Sequence, residues 1–150
     1  MTQPIEFNAK SPRHAMPYLV PGQVQKELFV NESIALLDML LHPVVQGEAA
    51  SAPAAPVPGE CWIVAPGASG DWADMDGAIA GWDGAQWTFA QPVVGLAAYE
   101  IASASIRIYL SDWSRPQSLS EPSGGSVVDT QARSAINAIL AALRGAAVIA

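Results

Sequence analysis

Apolar positions along this chain change their spacing several times, and each change marks an element. Over residues 23–41, Val24 and Leu28 stand four apart. Ile34, Leu37 and Leu40 or Leu41 then recur at the three-to-four spacing of a helical face. Asn31 has the chemistry of an N-cap and Glu32 suits a first turn, so the pattern predicts a helix over residues 32–41 with a shorter helical or extended piece before it. Pro43 closes it.

From residue 59 to 113 the spacing falls to two. Residues 61–65 read as a strand ending at the turn residues Pro66 and Gly67. Asp76-Gly77 and Asp83-Gly84 each lie between apolar segments, a short-range hairpin signal. Around the second pair, Ala78, Ala80 and Trp82 alternate on one arm, and Trp87 with Phe89 on the other. Ile106, Ile108 and Leu110 share one face of a further strand, with Arg107 and Tyr109 on its opposite face. Several short strands with tight turns predict a small antiparallel sheet or barrel.

Near the C-terminus the helical spacing returns. Ser126 and Asp129 are spaced as a capping box, with Asp in place of the usual Glu. Ala132, Ile136, Ile139 and Leu143 then follow steps of four, three and four, with Leu140 alongside, as in a two-heptad coiled-coil seam. A helix of about 16 residues is marginal alone in water. It therefore packs on the sheet or against its own copies, and the Ser, Pro and Gly stretch before it favours copies. Isoleucine at both central seam positions is compatible with a trimer.

The expected class is α+β: a small antiparallel sheet or barrel, an N-terminal helix, a Pro-rich extended arm and a C-terminal coiled-coil-like helix. Its divisions are an arm at 1–22, a helical segment at 23–45, an Ala/Pro linker or wrapped loop at 46–58, a β-rich domain at 59–113, a second linker at 114–125 and an oligomerisation helix at 126–150.

Composition narrows the function. Net charge is −7, and the seven Lys and Arg are scattered singly, so no basic cluster is present to meet a row of phosphates or an anionic membrane. Nucleic acid and membrane are not expected partners. Charged residues are only 14% against 51% hydrophobic, which fits equally an Ala-rich globular domain and one whose apolar surface is partly covered by a partner chain. Cys61 is the only cysteine, so no intramolecular disulfide forms, and its strand context predicts a buried, inert thiol. The N-terminus lacks the pattern of a signal peptide, and no apolar run is long enough to span a bilayer.

Catalysis finds little support. His14 lies in the arm and His42 at a helix end, neither beside an evident partner, and no glycine-rich phosphate loop is present. A calcium loop ending at Gly77 would need an acid where Trp72 stands, and turns explain Asp71, Asp74, Asp76 and Asp83 more simply. No cofactor or metal is expected. Trp62, Trp72, Trp82, Trp87 and Trp113 are either the filling of a small core or, in part, a stacking surface for sugar rings. Trp72, Trp82 and Trp87 are the candidate ligand positions, with Trp72 placed outermost.

The run MPYLVPGQVQKE from Met16 to Glu27, continuing through Asn31 and Glu32 to Leu36, Leu37 and Asp38, resembles the opening of an uncharacterised domain family. PGECWIV (58–64), GASGDWA (67–73) and IAGWDGAQW (79–87) resemble it too, as does the ending VDTQAR (128–133) with its Ala/Leu-rich helix. The family recurs in structural gene clusters of alphaproteobacterial phages, prophages and gene transfer agents. The resemblance implies a virion component of a tail fibre, head spike or adsorption apparatus, assembled in the host cytoplasm and without catalytic residues to carry over. The chain is shorter than longer members after Trp113, which implies a base or adaptor role. The expected partners are further copies of the chain and other virion proteins, with Ala132, Ile136, Ile139, Leu140 and Leu143 as the oligomer interface. Binding of host glycan is the alternative, and a cell-wall hydrolase fragment a weaker third.

Overall fold

The computed structural model describes residues 11–13, 16, 18–19, 26–115, 117–125 and 129–149. The chain divides into two compact units, Met1–Pro92 and Val93–Ala150. Both helices and the short strands make it an α+β protein. Most of the expected N-terminal arm and the Ser126 cap lie outside the described residues.

In the first unit, α1 (Lys26–Leu40) is one continuous helix. Asn31 is therefore interior to it, not an N-cap. Its amide instead works sideways: the Leu19 N–H donates to Asn31 Oδ1 at 2.8 Å, and Asn31 Nδ2 donates to the Leu19 carbonyl at 3.1 Å. This two-bond clamp gives Asn a use that outweighs its modest helix propensity. The helix stops where His42 turns left-handed at φ 51, just before Pro43. Its open C-terminal carbonyls are met by Arg13, whose guanidinium donates to the carbonyls of Asp38, Met39 and His42 at 2.9, 2.8 and 2.7 Å. A cation there also suits the negative end of the helix dipole.

Beyond the helix come β1 (Val44–Val45), β2 (Glu48–Ala49), β3 (Cys61–Val64), β4 (Ile79–Trp82) and β5 (Trp87–Ala90), and a four-stranded sheet runs in the order β2-β3-β4-β5. This sheet is open and mixed, which corrects the expectation of an antiparallel sheet or barrel. β2 runs parallel to β3, with Glu48 opposite Ile63, because the Ala/Pro segment after β2 is long enough to carry the chain back to the start of β3. The stretch expected to be linker is thus partly strand and partly crossover. Asp83-Gly84 does form the β4–β5 turn, where Asp83 Oδ1 accepts the N–H groups of Ala85 and Gln86. Asp76-Gly77 instead ends the longer β3–β4 connection. There the Asp76 carboxylate accepts from the Gly67 and Ala68 N–H groups, which holds its pKa below the usual range.

The alternation of the strands gives the sheet two apolar faces. Cys61, Ile63, Ile79 and Gly81 share one, and α1 covers it so closely that a Cβ on Gly81 would lie 2.7 Å from Met39 Sδ. Trp62, Val64, Ala80, Trp87 and Phe89 share the other, closed by Trp72 from the β3–β4 connection.

The second unit is built differently. β6 (Ala97–Glu100) and β7 (Ser105–Ile108) form an antiparallel hairpin, with Tyr99 opposite Ile106 and Ala97 opposite Ile108. Its buried face carries Ala98, Glu100, Ser105 and Arg107, and its exposed face Ala97, Tyr99, Ile106 and Ile108. The predicted alternation holds, but the apolar face points out. Inside, Arg107 Nη1 meets Glu100 Oε1 at 2.7 Å, and Ser103 Oγ donates to the second oxygen of Glu100.

α2 (Thr130–Gly145) begins on Asp129, whose Oδ1 accepts the Ala132 N–H at 2.9 Å, so Asp129 is itself the cap rather than the closing acid of a capping box begun at Ser126. The helix ends in a Schellman motif: the Val148 N–H reaches the Leu143 carbonyl and the Ala147 N–H the Arg144 carbonyl, with Ala147 left-handed at φ 56. Arg133 donates to the Pro122 and Gly124 carbonyls and Arg144 to Leu119, so the segment expected to be a linker lies along the helix. Leu140 and Ile149 are buried, and the Ile106 N–H donates to the Ala147 carbonyl at 2.8 Å, which ties the end of α2 to β7.

The buried ion pair sets a stability test. Glu100→Gln removes the countercharge from a buried guanidinium and is expected to cost about 3–5 kcal/mol in urea unfolding. The joint replacement Glu100→Leu with Arg107→Met is expected to recover most of that loss.

Candidate functional site

The first unit carries an open groove of about 620 Å³ between α1 and the edge strand β5. Tyr18, Asn31, Glu32, Gln86, Trp87 and Phe89 line it. α1 supplies the polar wall, because Asn31 and Glu32 fall on its outward side. The edge strand β5 supplies the other wall with Trp87 and Phe89, whose rings pack mainly on the sheet face away from α1 and border the groove at its edge. A narrower pocket, with room for about one water, adjoins it around Arg13, Asp38, Cys61, Trp82 and Asp83. Tyr18 borders both, and its phenol pKa is raised first by burial and then by the carboxylates of Asp83 and Asp38.

The three candidate tryptophans separate. Trp72 is 0% exposed, which corrects its placement as the outermost: it is the plug of the core, and its ring meets Trp87 edge-on at 5.1 Å. Its position between Asp71 and Asp74 suggested a loop surface, but a short 3₁₀ turn (Gly70–Trp72) rotates the indole inward while the acids stay exposed. Trp82 and Trp87 pair across the hairpin at 5.1 Å and are half-buried, with Trp87 in the groove and Trp82 at the narrower pocket. An indole beside amide and carboxyl groups is the chemistry that binds sugar rings.

The predicted seam residues of α2 also separate. Ile136 and Ile139 are 43% and 58% exposed and Ala132 is exposed, whereas Leu140 is buried and Leu143 half-buried. The helix therefore anchors through Leu140 and leaves an isoleucine stripe open. The exposed His42 contributes only its carbonyl, as the acceptor for Arg13, and His14 lies outside the described residues. No helix among the described residues is long and apolar enough to cross a membrane.

Sequence reasoning missed the groove partners Tyr18, Asn31 and Gln86, since nothing in spacing links an arm, a helix and a turn. It also missed the outward face of the β6–β7 hairpin, although the alternation of Arg107 with Ile106 and Ile108 already separated the two sets.

Cys61 is buried as expected, and its thiol is pushed up to about 11, chiefly by burial, with Arg13 opposing and Asp38 adding. It is expected to stay silent to a thiol reagent at about pH 8 and to react once the chain is unfolded. The unfolded chain, with the lower thiol pKa of about 9.0, loses this proton first, so the contribution to stability is intact below that pH and is lost as pH rises to about 11. Urea midpoints across that window check the sign.

These features define an α+β protein of two small units, one with a larger set of buried apolar side chains and one with open apolar faces. Residues 30–114, more than half of the chain, match the family model described as a protein of unknown function (DUF2793), and the chain belongs to that family. The match runs from α1 to the end of the hairpin region and stops short of α2. No curated protein and no solved structure matches the chain.

Proposed function

We propose that this chain is a structural component of a phage or phage-like particle, a base or adaptor in a fibre, spike or adsorption apparatus, which works by assembling with its own copies and with other virion proteins rather than by catalysis. The observation that carries the assembly reading is the open stripe of Ile136 and Ile139 on a helix already anchored through Leu140. Apolar surface left out of a small unit's own core is characteristic of a surface that meets a partner. The stripe serves as a short coiled-coil-like seam, with a trimer favoured by its isoleucines. The particle assignment rests on the resemblance of the 16–38, 58–64, 67–73 and 79–87 segments to particle proteins.

Replacing Ile136 and Ile139 together with Asp is expected to lower the solution mass, read by light scattering after size exclusion; an unchanged mass removes the seam. Particles purified from the producing cells are expected to contain the chain at a fixed ratio to the major structural proteins. Its recovery only as free protein would overturn the particle assignment.

A second reading is favoured by the groove beside Trp87. Host glycan would stack on that indole and hydrogen-bond to Asn31, Glu32 and Gln86. Glycan-array binding is expected to fall at least tenfold with Trp87→Ala, and an array without hits counts against this reading.

A further inference from the structure

We propose that the outward face of the β6–β7 hairpin is a homotypic interface, packed in the assembled protein against the same face of further copies of this chain. The proposal extends the assembly reading to a second surface and does not depend on the particle assignment or on the α2 seam.

The hairpin is inside out. Its buried side holds a carboxylate, a guanidinium and a serine, and its exposed side holds Ala97, Tyr99, Ile106 and Ile108. Tyr99 and Ile106 face each other across the strands, as do Ala97 and Ile108, so the four side chains make one continuous patch. Ile101 and Leu110, at its two ends, are 48% and 60% exposed. The imbalance extends through the unit: among the described residues it buries four apolar side chains, Ala98, Trp113, Leu140 and Ile149, and exposes eleven large ones. Among its described residues the first unit shows the opposite balance, ten buried against five large ones exposed. A chain that spends its few buried positions on an ion pair while exposing isoleucines is complete only when those isoleucines are covered.

Charge indicates the occupant. Residues 93–150 carry four acids (Glu100, Asp112, Glu121, Asp129) and four arginines (Arg107, Arg115, Arg133, Arg144), so the whole net charge of −7 belongs to residues 1–92. Copies meeting through the neutral unit bring no net repulsion to the contact. The patch has no charged side chain to select an acidic or basic partner, whereas an uncharged apolar patch is complementary to itself across a symmetry axis.

The mode of contact follows from the backbone. The outer edge of β7 is already used: the Ile106 N–H donates to the Ala147 carbonyl, the Ile108 N–H to Ser114 Oγ at 2.8 Å, and the Ser114 N–H to the Ile108 carbonyl. An added strand finds no free ladder there, so association proceeds through the face and not the edge.

The full-length chain tests this. Light scattering after size exclusion is expected to give a multiple of 15.7 kDa for the native chain, a lower mass for Ile106→Asp with Ile108→Asp, and 15.7 kDa when the Ile136 and Ile139 aspartates are added, with near-ultraviolet circular dichroism retained. Leu37→Asp, an exposed position in the first unit, is the control that leaves the mass unchanged. A native chain that stays monomeric at every concentration overturns the proposal, as does a mass that the paired aspartates leave unchanged. Should the pair prevent folding, Ile108→Cys decides: with Cys61 buried, the new thiol is the accessible one, and oxidation is expected to yield disulfide-linked dimers. Val57→Cys, more exposed than Ile108 but in the first unit, should not yield them. Equal cross-linking at both positions, or none at Ile108→Cys, overturns the interface. The paired aspartates at Ile136 and Ile139 separate the two surfaces. Dissociation by that pair alone leaves the seam and removes the hairpin face, and dissociation by the hairpin pair alone does the reverse.

Discussion

The contact between Arg107 and Glu100 constrains the second unit more than any other. Two ionised groups held at 2.7 Å with almost no exposure are costly to desolvate, and each makes the other's burial tolerable. Side chains on a strand alternate, so a hairpin that buries Glu100 and Arg107 must turn Tyr99, Ile106 and Ile108 outward. One pair of charges therefore decides which face of the hairpin is available, and it leaves the unit a core of very few side chains. The arginines of α2 add to this economy by holding the 119–124 segment along the helix instead of contributing to a core.

The first unit solves the same problem of small size in the ordinary way. Its sheet is apolar on both faces, with α1 over one and Trp72 over the other, and Gly81 lets helix and sheet approach to contact distance. Polar groups there are used at the ends of elements: Arg13 at the carbonyl end of α1, Asp76 on the β3–β4 connection, Asp83 in the β4–β5 turn. The acidic charge of the chain lies in this unit, where it favours solubility, and the buried Asp38 carboxylate accepts the Arg13 N–H. An acidic unit joined to a neutral unit with open apolar faces suits the assembly reading, because the second unit brings no net charge of its own to a contact.

Much of the local structure was legible in the residues. The β4–β5 hairpin was readable from Asp83-Gly84 between alternating apolar positions, the burial of Cys61 from its strand, and the end of α1 from Pro43. Each depends on chemistry within a few residues: a turn that tolerates positive φ, a two-residue period, a ring that blocks a helix. Asn31 and Asp129 were misread for a related reason. Both have cap chemistry, but only Asp129 stands at a helix start, since Leu19 captures the Asn31 amide from twelve residues away.

Sequence by itself therefore determined the alternation of Ile106, Arg107 and Ile108, the heptad-like spacing on α2, and the tryptophan-rich β-segment. Tertiary structure alone decided which side of each pattern faces inward. Periodicity separates two faces of an element but is blind to which of them is buried, because that choice is made by what packs against it. Trp72 became core because a short turn aimed it at the sheet, and Ile139 became surface because Leu140, one position on, took the anchoring role. The hairpin turned inside out because a carboxylate and a guanidinium seven residues apart found each other.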